Sequence, residues 1–590
     1  MKHGVVEAII SSRRRWELAA GATLTAAVTL VIAAGSFFDR DDIFFAEYFE
    51  LNAFTPDALV RSWFGHLMPG YIASVVAFLN VFGLSWPAAL VFIVLIHTGA
   101  FVAFVRILDA TVGSSRTNVI AGLAFSLSLG PMIVRLWWAA TLNNMLALAV
   151  GLAVLGCVTR WMTARRTRHL VAALILYALA LALSEKNLLF SVHIAAWSFL
   201  VVWRGLPVRE RLLNVLRTWP LWVALVVMSL IDVIAFIRGP YVDESGAAAP
   251  LSFSVRFVAH NIIGGLIPSL FGVEMSGESL SFLEPRVVIP LTLFVAFVIW
   301  TIMRVRSNAG VWLFAVIAVT ANAAVLSRRG EMIGLDGARS LRYLLESTAL
   351  IWLAIGASAV LALRAVQATS PVAMPSFSRK LVASLGIALC VALIAVSSWS
   401  WAQSVQRAVQ VSGGYAARDW IGNLEETLPD PTPPLIDSPL PLSFSMPALH
   451  PYDMVGLALP SLGWGEVDLT TDLEDAWVVG ADGFAGPARI VGGAVAFEGA
   501  RCTDGSSSIS IPEAKSPGRK FVIFDVSQAS GDTMTLIVDG GWITVPVHGD
   551  GGRFAAYVPY AFDGDLQISA QGNASCVDSV TVADLLPQQQ

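Results

Sequence analysis

Long apolar stretches, separated by short polar ones, dominate the first 400 residues of the chain. Because about 20 apolar residues, each rising 1.5 Å, cross the hydrocarbon core of a bilayer, this pattern predicts membrane-spanning helices. The apolar stretch 64–82 contains Pro69 and Gly70, so we expect it to form an interfacial helix instead. We count about eleven predicted spans, at residues 16–38, 86–106, 117–134, 141–159, 169–184, 187–203, 218–238, 287–303, 310–327, 346–365 and 381–401.

The pattern changes in the last third of the chain. Residues 429–441 are rich in proline, which is typical of a linker. Beyond them, short stretches such as 520–526 and 554–558 alternate apolar and polar residues between Gly, Asp and Ser turns, which predicts a β-sandwich. We therefore predict an α-helical polytopic membrane protein with a C-terminal β-sandwich domain. Its parts are a membrane domain at 1–401, a linker at 402–436 and a β domain at 437–590.

Composition and charge support this division. The chain is 56% hydrophobic and only 14% charged, with a mean hydropathy of +0.68, whereas soluble domains carry about 25% charged residues. Basic residues fall into six loops on one side of the predicted membrane, which the positive-inside rule makes cytoplasmic. These loops hold Arg13, Arg14, Arg15, Arg106, Arg116, Arg160, Arg165, Arg166, Arg168, Arg204, Arg209, Arg211, Arg217, Arg304, Arg306, Arg364, Arg379 and Lys380.

This charge pattern predicts the topology of the protein. We expect a multi-pass protein of the cell membrane with a cytoplasmic N-terminus, and eleven spans would then place the β domain outside. A disulfide between Cys502 and Cys576 is compatible with that location. The sequence contains no zinc-ligand spacing, no phosphate-binding glycine loop and no nucleophile elbow. It also lacks a basic groove, so we expect no nucleic-acid partner.

Charged residues on the predicted outer side are the candidates for chemistry. Asp39, Asp41 and Asp42 directly follow the first span, and such a cluster indicates a metal site, a cationic partner, a proton-transfer role or a solvated turn. Bases at an outer boundary run against the positive-inside tendency, so they indicate phosphate binding or ion pairing with nearby acids. Asp232 lies inside a predicted span, where it either has a function or pairs with Arg238. The outer bases are Arg135, Lys186, Arg328, Arg329, Arg339 and Arg342.

Five short stretches within residues 16–365 carry a family resemblance. They are Asp39-Arg40-Asp41-Asp42, residues 61–69 (RSWFGHLMP), residues 95–100 (LIHTGA), residues 183–186 (LSEK) and residues 340–344 (SLRYL). In their order they resemble motifs of the GT-C superfamily of polyprenyl-phosphate-sugar-dependent glycosyltransferases, particularly its O-mannosyltransferase-like branch. The chain departs from that pattern at Gly130-Pro131 and Arg135, in the order of Glu185 and Lys186, and in lacking a proline soon after Tyr343. The tail resembles that of actinobacterial-type envelope proteins.

The resemblance implies a glycosyltransferase of the cell envelope. Its donor would be a polyprenyl-phosphate-linked sugar in the bilayer, and its acceptor a glycan, a glycolipid or a protein. Asp41 or Asp42 would act as general base in an inverting reaction, and a divalent cation (Mg²⁺, Mn²⁺ or Ca²⁺) is left open. Arg342, Arg339, Lys186 and Arg135 would hold the donor phosphate, with supporting roles for Asp39, Glu185, His66, Tyr343 and Asp232.

Two alternatives stay open at this point. The β domain either binds the growing glycan or serves as a structural lid. The whole protein could instead be a lipid or polysaccharide transporter or an envelope scaffold, in which the acids gate or are simply solvated. Transporters commonly contain internal repeats, and the sequence shows no clear repeat, which favours the enzyme.

Overall fold

The computed structural model forms two compact units, one made of Met1–Gly35 and Phe54–Gln410, the other of Ser36–Ala53 and Val411–Gln590. We call them the membrane unit and the outer unit. The acidic segment that follows the first predicted span therefore belongs to the same unit as the C-terminal region. The structure describes residues 2–38, 40–52, 54–238, 250–275, 281–328, 330–368, 397–410, 412–441, 450–503, 508–516, 520–528, 533–538, 541–547, 551–559, 562–570 and 575–588.

The membrane unit is mainly helical in its described residues, which include three helical segments with π geometry and two with 3-10 geometry. The α-helices are Lys2–Ala33, Asp57–Val60, Pro69–Phe82, Trp86–Val112, Arg116–Leu127, Leu129–Arg135, Trp138–Ala140, Ala147–Ala164, Thr167–Leu183, Leu189–Trp197, Val208–Arg217, Trp219–Arg238, Leu251–Ala259, Ile267–Leu270, Pro285–Arg304, Asn308–Ser327, Gly330–Gly337 and Leu345–Ala368. The π segments are Thr141–Leu146, Ser198–Val202 and His260–Leu266, and the 3-10 segments are Glu185–Leu188 and Leu341–Tyr343.

Eight helices among the described residues are long and apolar enough to cross a membrane, or nine if the bent pair Arg116–Leu127 and Leu129–Arg135 forms one span. The predicted fold class is confirmed, although about eleven spans were expected. Predicted span 169–184 appears as Thr167–Leu183, which falls among the shorter apolar helices, and residues 381–396 of another lie outside the described residues. The eight are Arg13–Ala33, Trp86–Val112, Trp138–Ala164, Trp219–Arg238, Leu251–Leu270, Pro285–Arg304, Asn308–Ser327 and Leu345–Ala368.

The residues between the predicted spans 218–238 and 287–303 were expected to form a loop on the outer side, at about 239–286, and this prediction is wrong in part. Residues Leu251–Leu270 form a candidate span. Their mean hydropathy is only 1.2, the lowest of the eight, because polar Asn261 and the small residues Gly264 and Gly265 interrupt the apolar pattern. A low hydropathy signal explains why the sequence pattern missed this helix.

Among its described residues, the outer unit combines four helical segments with eleven strands. The helix Gly413–Thr427 lies inside the predicted linker 402–436. The other helical segments are Asp41–Leu51, Val455–Leu459 and Pro460–Trp464. The strands are β1 Leu435–Ile436, β2 Leu469–Thr470, β3 Trp477–Val479, β4 Ala485–Thr503, β5 Ser508–Ser516, β6 Lys520–Gln528, β7 Thr533–Val538, β8 Gly541–Pro546, β9 Gly552–Val558, β10 Phe562–Ala570 and β11 Ser575–Pro587.

These strands form two sheets. The first has the order β2-β1-β3-β4-β11-β6-β9 and the second β5-β10-β7-β8. In β6, Val522, Phe524 and Val526 join an apolar core that includes residues of both sheets, while Phe521 and Ile523 pack into a second apolar cluster. Strand β6 is thus buried on both faces, as the alternation of its side chains requires.

The predicted disulfide is confirmed. Cys502 on β4 and Cys576 on β11 are paired in the antiparallel register and form a disulfide across these two strands. The bond joins positions 74 residues apart in the chain.

Candidate functional site

His66 in the membrane unit is presented by a tight turn. The backbone groups of Trp63 and His66 bond each other in both directions at 2.9 Å, and Phe64 and Gly65 between them have φ angles of 52° and 72°. Two successive positive φ values are typical of a type I′ hairpin turn, and glycine tolerates such an angle without steric cost. The indole Nε1 of Trp63 donates to the carbonyl of Ala58 at 2.9 Å and fixes the base of the turn.

The imidazole of His66 bonds Glu185, a residue 119 positions away in the chain. Glu185 begins the 3-10 segment Glu185–Leu188, directly after the helix Thr167–Leu183. A close helix contact brings the two regions together, since a Cβ added to Gly70 would lie 3.0 Å from the carbonyl oxygen of Ala182. Burial raises the pKa of the Glu185 carboxyl, but the charge and hydrogen bond of His66 and the charge of Lys186 outweigh it and bring the pKa below its usual value.

Lys186 has a neutral partner instead of an acid. Its ammonium donates to the side-chain oxygen of Asn144 at 3.3 Å, and in the described part of the chain it forms no ion pair. Glu185 and Glu346 lie within electrostatic range. An ammonium group carries three donors, so Lys186 retains hydrogen-bonding capacity for an anion.

Arg342 is likewise held by neutral groups. Its guanidinium carbon lies 4.6 Å from the ring centre of Tyr343 and 5.6 Å from that of Trp137, and Nη2 donates to the hydroxyl of Tyr343 at 2.8 Å. Stacking orients a guanidinium while leaving most of its five N–H donors available. Among the described residues no carboxylate pairs with Arg342.

The other two predicted phosphate-binding arginines bond protein groups. Arg135 is fully buried, donates through Nε to the hydroxyl of Thr29 at 3.0 Å, and bonds both the carbonyl and the hydroxyl of Ser126. Arg339 is also buried and donates to the carbonyl of Met275 at 2.5 Å and to Asp336 at 2.5 Å. Arg339 thus forms the ion pair with Asp336 that the sequence left open as an alternative. Phosphate binding by Arg135 and Arg339 stays a prediction.

Asp232 lies within the candidate span Trp219–Arg238. Its Oδ2 is buried and has no hydrogen-bond partner among the described residues, and it forms no ion pair with Arg238. Glu185 lies within its electrostatic range, and Tyr177 and Ser229 share a hydrogen bond of 2.8 Å. Asp232 thus belongs to the polar surroundings of Glu185.

The acidic motif of the outer unit begins a helix. Asp39 lies outside the described residues, while Asp41 and Asp42 occupy the first turn of the helix Asp41–Leu51. Carboxylates in this position interact favourably with the positive end of the helix dipole. Arg40 before them has a φ of 44°, a conformation that residues other than glycine adopt rarely. Asp42 is 5% exposed and Asp41 is half-buried.

Aromatic contacts attach this helix to the C-terminal part of its unit. Phe44 and Tyr48 lie 5.0 and 5.9 Å from Tyr452 between ring centres. The hydroxyl of Ser461 donates to Glu50 at 2.5 Å. These contacts explain why residues 36–53 cluster with residues 411–590 and not with the span that precedes them.

Glu47 is the most unusual group on the helix. It is 1% exposed, and neither carboxyl oxygen has a hydrogen-bond partner among the described residues. Burial and the nearby carboxyls of Asp453, Asp437 and Glu50 raise its pKa to about 9. Burial also raises the pKa of Asp437 to about 6. Acids crowded in a dry environment retain protons instead of repelling one another.

The possibility of a metal site stays open as a prediction. Among the described residues, no group of three or more His, Cys, Asp or Glu side chains has an arrangement that holds a metal ion. Asp39 lies outside those residues, so the complete acidic motif is not covered.

Several site residues were missed by sequence reasoning. Asn144 holds Lys186, and its neighbour Asn143 donates to the sulfur of Met68 at 3.2 Å. Two adjacent amides inside the predicted span 141–159 are unusual in a membrane helix and would have been a usable signal. Trp137 offered no comparable signal, because a single aromatic residue in an apolar region is ordinary.

Comparisons with known proteins give low similarity. No family model and no curated protein match the chain. Among solved structures, arabinofuranosyltransferase AftD from Mycobacteria is similar with 12% identity and a TM-score of 0.37, covering 97% of this chain and 60% of that one. Arabinosyltransferase EmbB from Mycobacterium smegmatis is similar with 11% identity and a TM-score of 0.34, covering 96% of this chain and 64% of that one. The chain thus spans less than two thirds of these proteins, and at such scores the likeness assigns it neither a family nor an activity.

Proposed function

We propose that the protein is a membrane glycosyltransferase of the GT-C type, which transfers a sugar from a polyprenyl-phosphate donor to a glycan, glycolipid or protein acceptor on the outer face of the cell membrane. Asp42 acts as general base, with Asp41 as the alternative. Lys186 and Arg342 bind the donor phosphate. His66 and Glu185 position Lys186 through their own ion pair.

The proposal rests on the bonding partners of the Lys186 and Arg342 side chains. Lys186 and Arg342 are held by an amide, a hydroxyl and two aromatic rings, and neither forms an ion pair among the described residues. Lys186 contacts Asn144, and Arg342 contacts Trp137. The stretch between Trp137 and Asn144 is about 10 Å long if it is helical. Two half-buried cations with unused donors favour an anionic ligand such as a phosphate ester.

The proposed reaction gives each of these residues a role. The acceptor hydroxyl passes its proton to the aspartate and attacks the anomeric carbon of the sugar. The bond between that carbon and the phosphate oxygen breaks, and its electron pair leaves with the polyprenyl phosphate. Lys186 and Arg342 stabilise the negative charge that develops there. Attack opposite the leaving group inverts the anomeric configuration.

The test measures donor binding and transfer in lipid nanodiscs. Suitable donors are polyprenyl phosphates carrying mannose or arabinofuranose, with the unglycosylated polyprenyl phosphate as a third ligand. Because a hydrogen bond to a charged group contributes about 1.5–3 kcal/mol, Arg342→Gln and Lys186→Gln should each weaken binding of all three ligands by about 10- to 100-fold. The control Arg238→Gln removes an exposed arginine at the end of the span Trp219–Arg238 and should leave affinity unchanged.

Two outcomes would contradict the proposal. Unchanged affinity in both Arg342→Gln and Lys186→Gln would remove the phosphate-binding assignment. Transport of a labelled donor across the bilayer, without transfer of its sugar to any offered acceptor, would favour the transporter alternative.

A further inference from the structure

A second feature of the membrane unit lies away from the polar groups described above. An apolar, partly open cavity of about 390 Å³ lies between four helical regions. Its walls include Phe199, Leu200, Val215, Trp222 and Leu313, and every lining side chain is apolar. Pockets that bind small molecules have volumes of about 300–1,000 Å³. A cavity without polar lining favours a hydrocarbon chain.

The cavity and the candidate phosphate site lie toward opposite ends of one helical stretch. Glu185 and Lys186 precede Leu189–Trp197, and Phe199 and Leu200 belong to the π segment Ser198–Val202 that follows it. About 14 residues at 1.5 Å each correspond to roughly 20 Å. The cavity is therefore distinct from the site proposed for the donor phosphate.

A basic, amphipathic helix contributes to the wall of the cavity. The helix Val208–Arg217 supplies Val215, and none of its residues is buried. Its apolar residues Leu212, Leu213 and Leu216 are 54%, 40% and 67% exposed. Exposed leucines alternating with arginines are typical of a helix that lies in the plane of a membrane interface.

The arginines of this helix fall into two classes. Arg211 is engaged, because it donates to the carbonyls of Leu206 and Arg204 at 2.8 Å each and stacks 5.6 Å from the ring centre of Phe199. Arg209 and Arg217 are exposed and form no ion pair with any residue that the structure describes. Two unpaired arginines on the helix that walls an apolar cavity complement an anion with a hydrocarbon tail.

We propose that this end of the membrane unit binds an anionic phospholipid of the bilayer. Its phosphate contacts Arg209 and Arg217, and one acyl chain enters the cavity against Trp222. The indole of Trp222 is fixed by hydrogen bonds to the carbonyl of Val215 at 3.1 Å and the hydroxyl of Thr218 at 2.8 Å, so it provides a rigid wall. An anionic head group fits better than phosphatidylcholine, whose choline would add a positive charge beside the arginines.

Native mass spectrometry of the full-length protein tests this site. The protein is released from nanodiscs containing equal amounts of phosphatidylglycerol and phosphatidylcholine with identical acyl chains, and the retained lipid is counted and identified. We expect one retained phosphatidylglycerol, preferred about tenfold over phosphatidylcholine. The double variant Arg209→Gln/Arg217→Gln should lose about tenfold in retained phosphatidylglycerol, as expected for lost charged hydrogen bonds.

Matched variants separate the head-group contact from the chain contact. Leu200→Trp fills the cavity and should abolish retention of both lipids, with Ala196→Phe as a second variant should the first fail to fold. Arg166→Gln/Arg168→Gln, which removes two exposed arginines at the start of the helix Thr167–Leu183, should retain lipid as the unmodified protein does. Equal retention of the two lipids, retention unaffected by filling the cavity, or preferential retention of added polyprenyl phosphate would overturn the proposal.

Discussion

The polar site of the membrane unit and the acidic helix of the outer unit handle charge in opposite ways. In the membrane unit, Glu185 is paired with His66, and Lys186 and Arg342 are held by neutral groups. On the acidic helix, Glu47 is buried beside other carboxyls and has no hydrogen-bond partner among the described residues. The membrane site keeps its side chains charged and orients them through an ion pair, hydrogen bonds and ring stacking. The acidic helix carries less negative charge, because the raised pKa of Glu47 keeps its carboxyl protonated.

This difference assigns different consequences to similar residues. Removing a charged side chain from the membrane site removes an ion pair or a hydrogen bond, so it should weaken ligand binding or the stability of the fold. Removing a carboxyl from the crowded helix relieves desolvation, so it should stabilise the fold unless that carboxyl reacts with the substrate. Asp42 and Glu47 lie on the same helix and are both buried. Comparing their variants therefore separates a carboxyl that is proposed to react with the substrate from one that is not.

The largest effect is expected at the proposed general base. Asp42→Asn should lower the rate of sugar transfer by about 10²- to 10⁴-fold, because the amide cannot accept the acceptor's proton. Donor affinity should stay unchanged, since the phosphate contacts are elsewhere in the proposal. Transfer of radiolabelled sugar and donor binding, measured on the same preparation, check both statements.

Asp41→Asn and Glu50→Gln accompany this experiment. Glu50 lies on the same helix but is exposed, so Glu50→Gln should transfer sugar at the unmodified rate. If instead Asp41→Asn causes the loss, the base is Asp41. Full activity in Asp41→Asn, Asp42→Asn and the double variant would remove the acidic helix from catalysis.

The sequence predicts the elements that depend on local patterns, but not the contacts between residues that are far apart in the chain. Long apolar stretches predicted spans such as Trp86–Val112, and alternating residues predicted strands such as β6, because both signals are local and periodic. The partners of His66 and Lys186 could not be predicted, since they lie 119 and 42 positions away and depend on helix packing. The burial of Glu47 was equally inaccessible, because it results from contacts with the C-terminal part of the outer unit.

A smaller effect is expected from the ion pair of the membrane site. Because both side chains are mostly buried, Glu185→Gln should lower the free energy of unfolding by about 1–3 kcal/mol. The control is Glu284→Gln, whose partner Arg286 lies at 3.0 Å and is 52% exposed. That exposed pair should contribute about 0–1 kcal/mol.

The pH dependence of this pair has a definite sign. The pKa of Glu185 in the folded protein lies below the ordinary value of 4.5, so its stabilisation is present above pH 4.5 and is lost as the pH falls through the folded value. The thermal midpoints of the protein and of Glu185→Gln should therefore converge as the pH falls from 4.5 through that lower value. A constant difference from pH 3 to 8, or no coupling with His66→Gln in a double-mutant cycle, would refute a stabilising pair.

The smallest effect, and the one with the opposite sign, is expected at Glu47. Its folded pKa of about 9 exceeds the ordinary value of 4.5, so the unfolded chain ionises first and stability falls as the pH rises between these values. In Glu47→Gln the side chain at this position does not titrate. This variant should be more stable than the unmodified protein by about 1–2 kcal/mol at pH 8 and equally stable at pH 4. The expected gain is smaller than about 1.4 kcal/mol for each unit by which the Glu47 pKa is raised. Hydrogen exchange of peptides covering Asp41–Leu51, corrected for the intrinsic rate, measures this difference, with Glu425→Gln on the helix Gly413–Thr427 as the exposed control. Faster exchange in Glu47→Gln at pH 8 would show that the carboxylate is ionised and bound in the folded protein, and the contrast between the two regions would then fail.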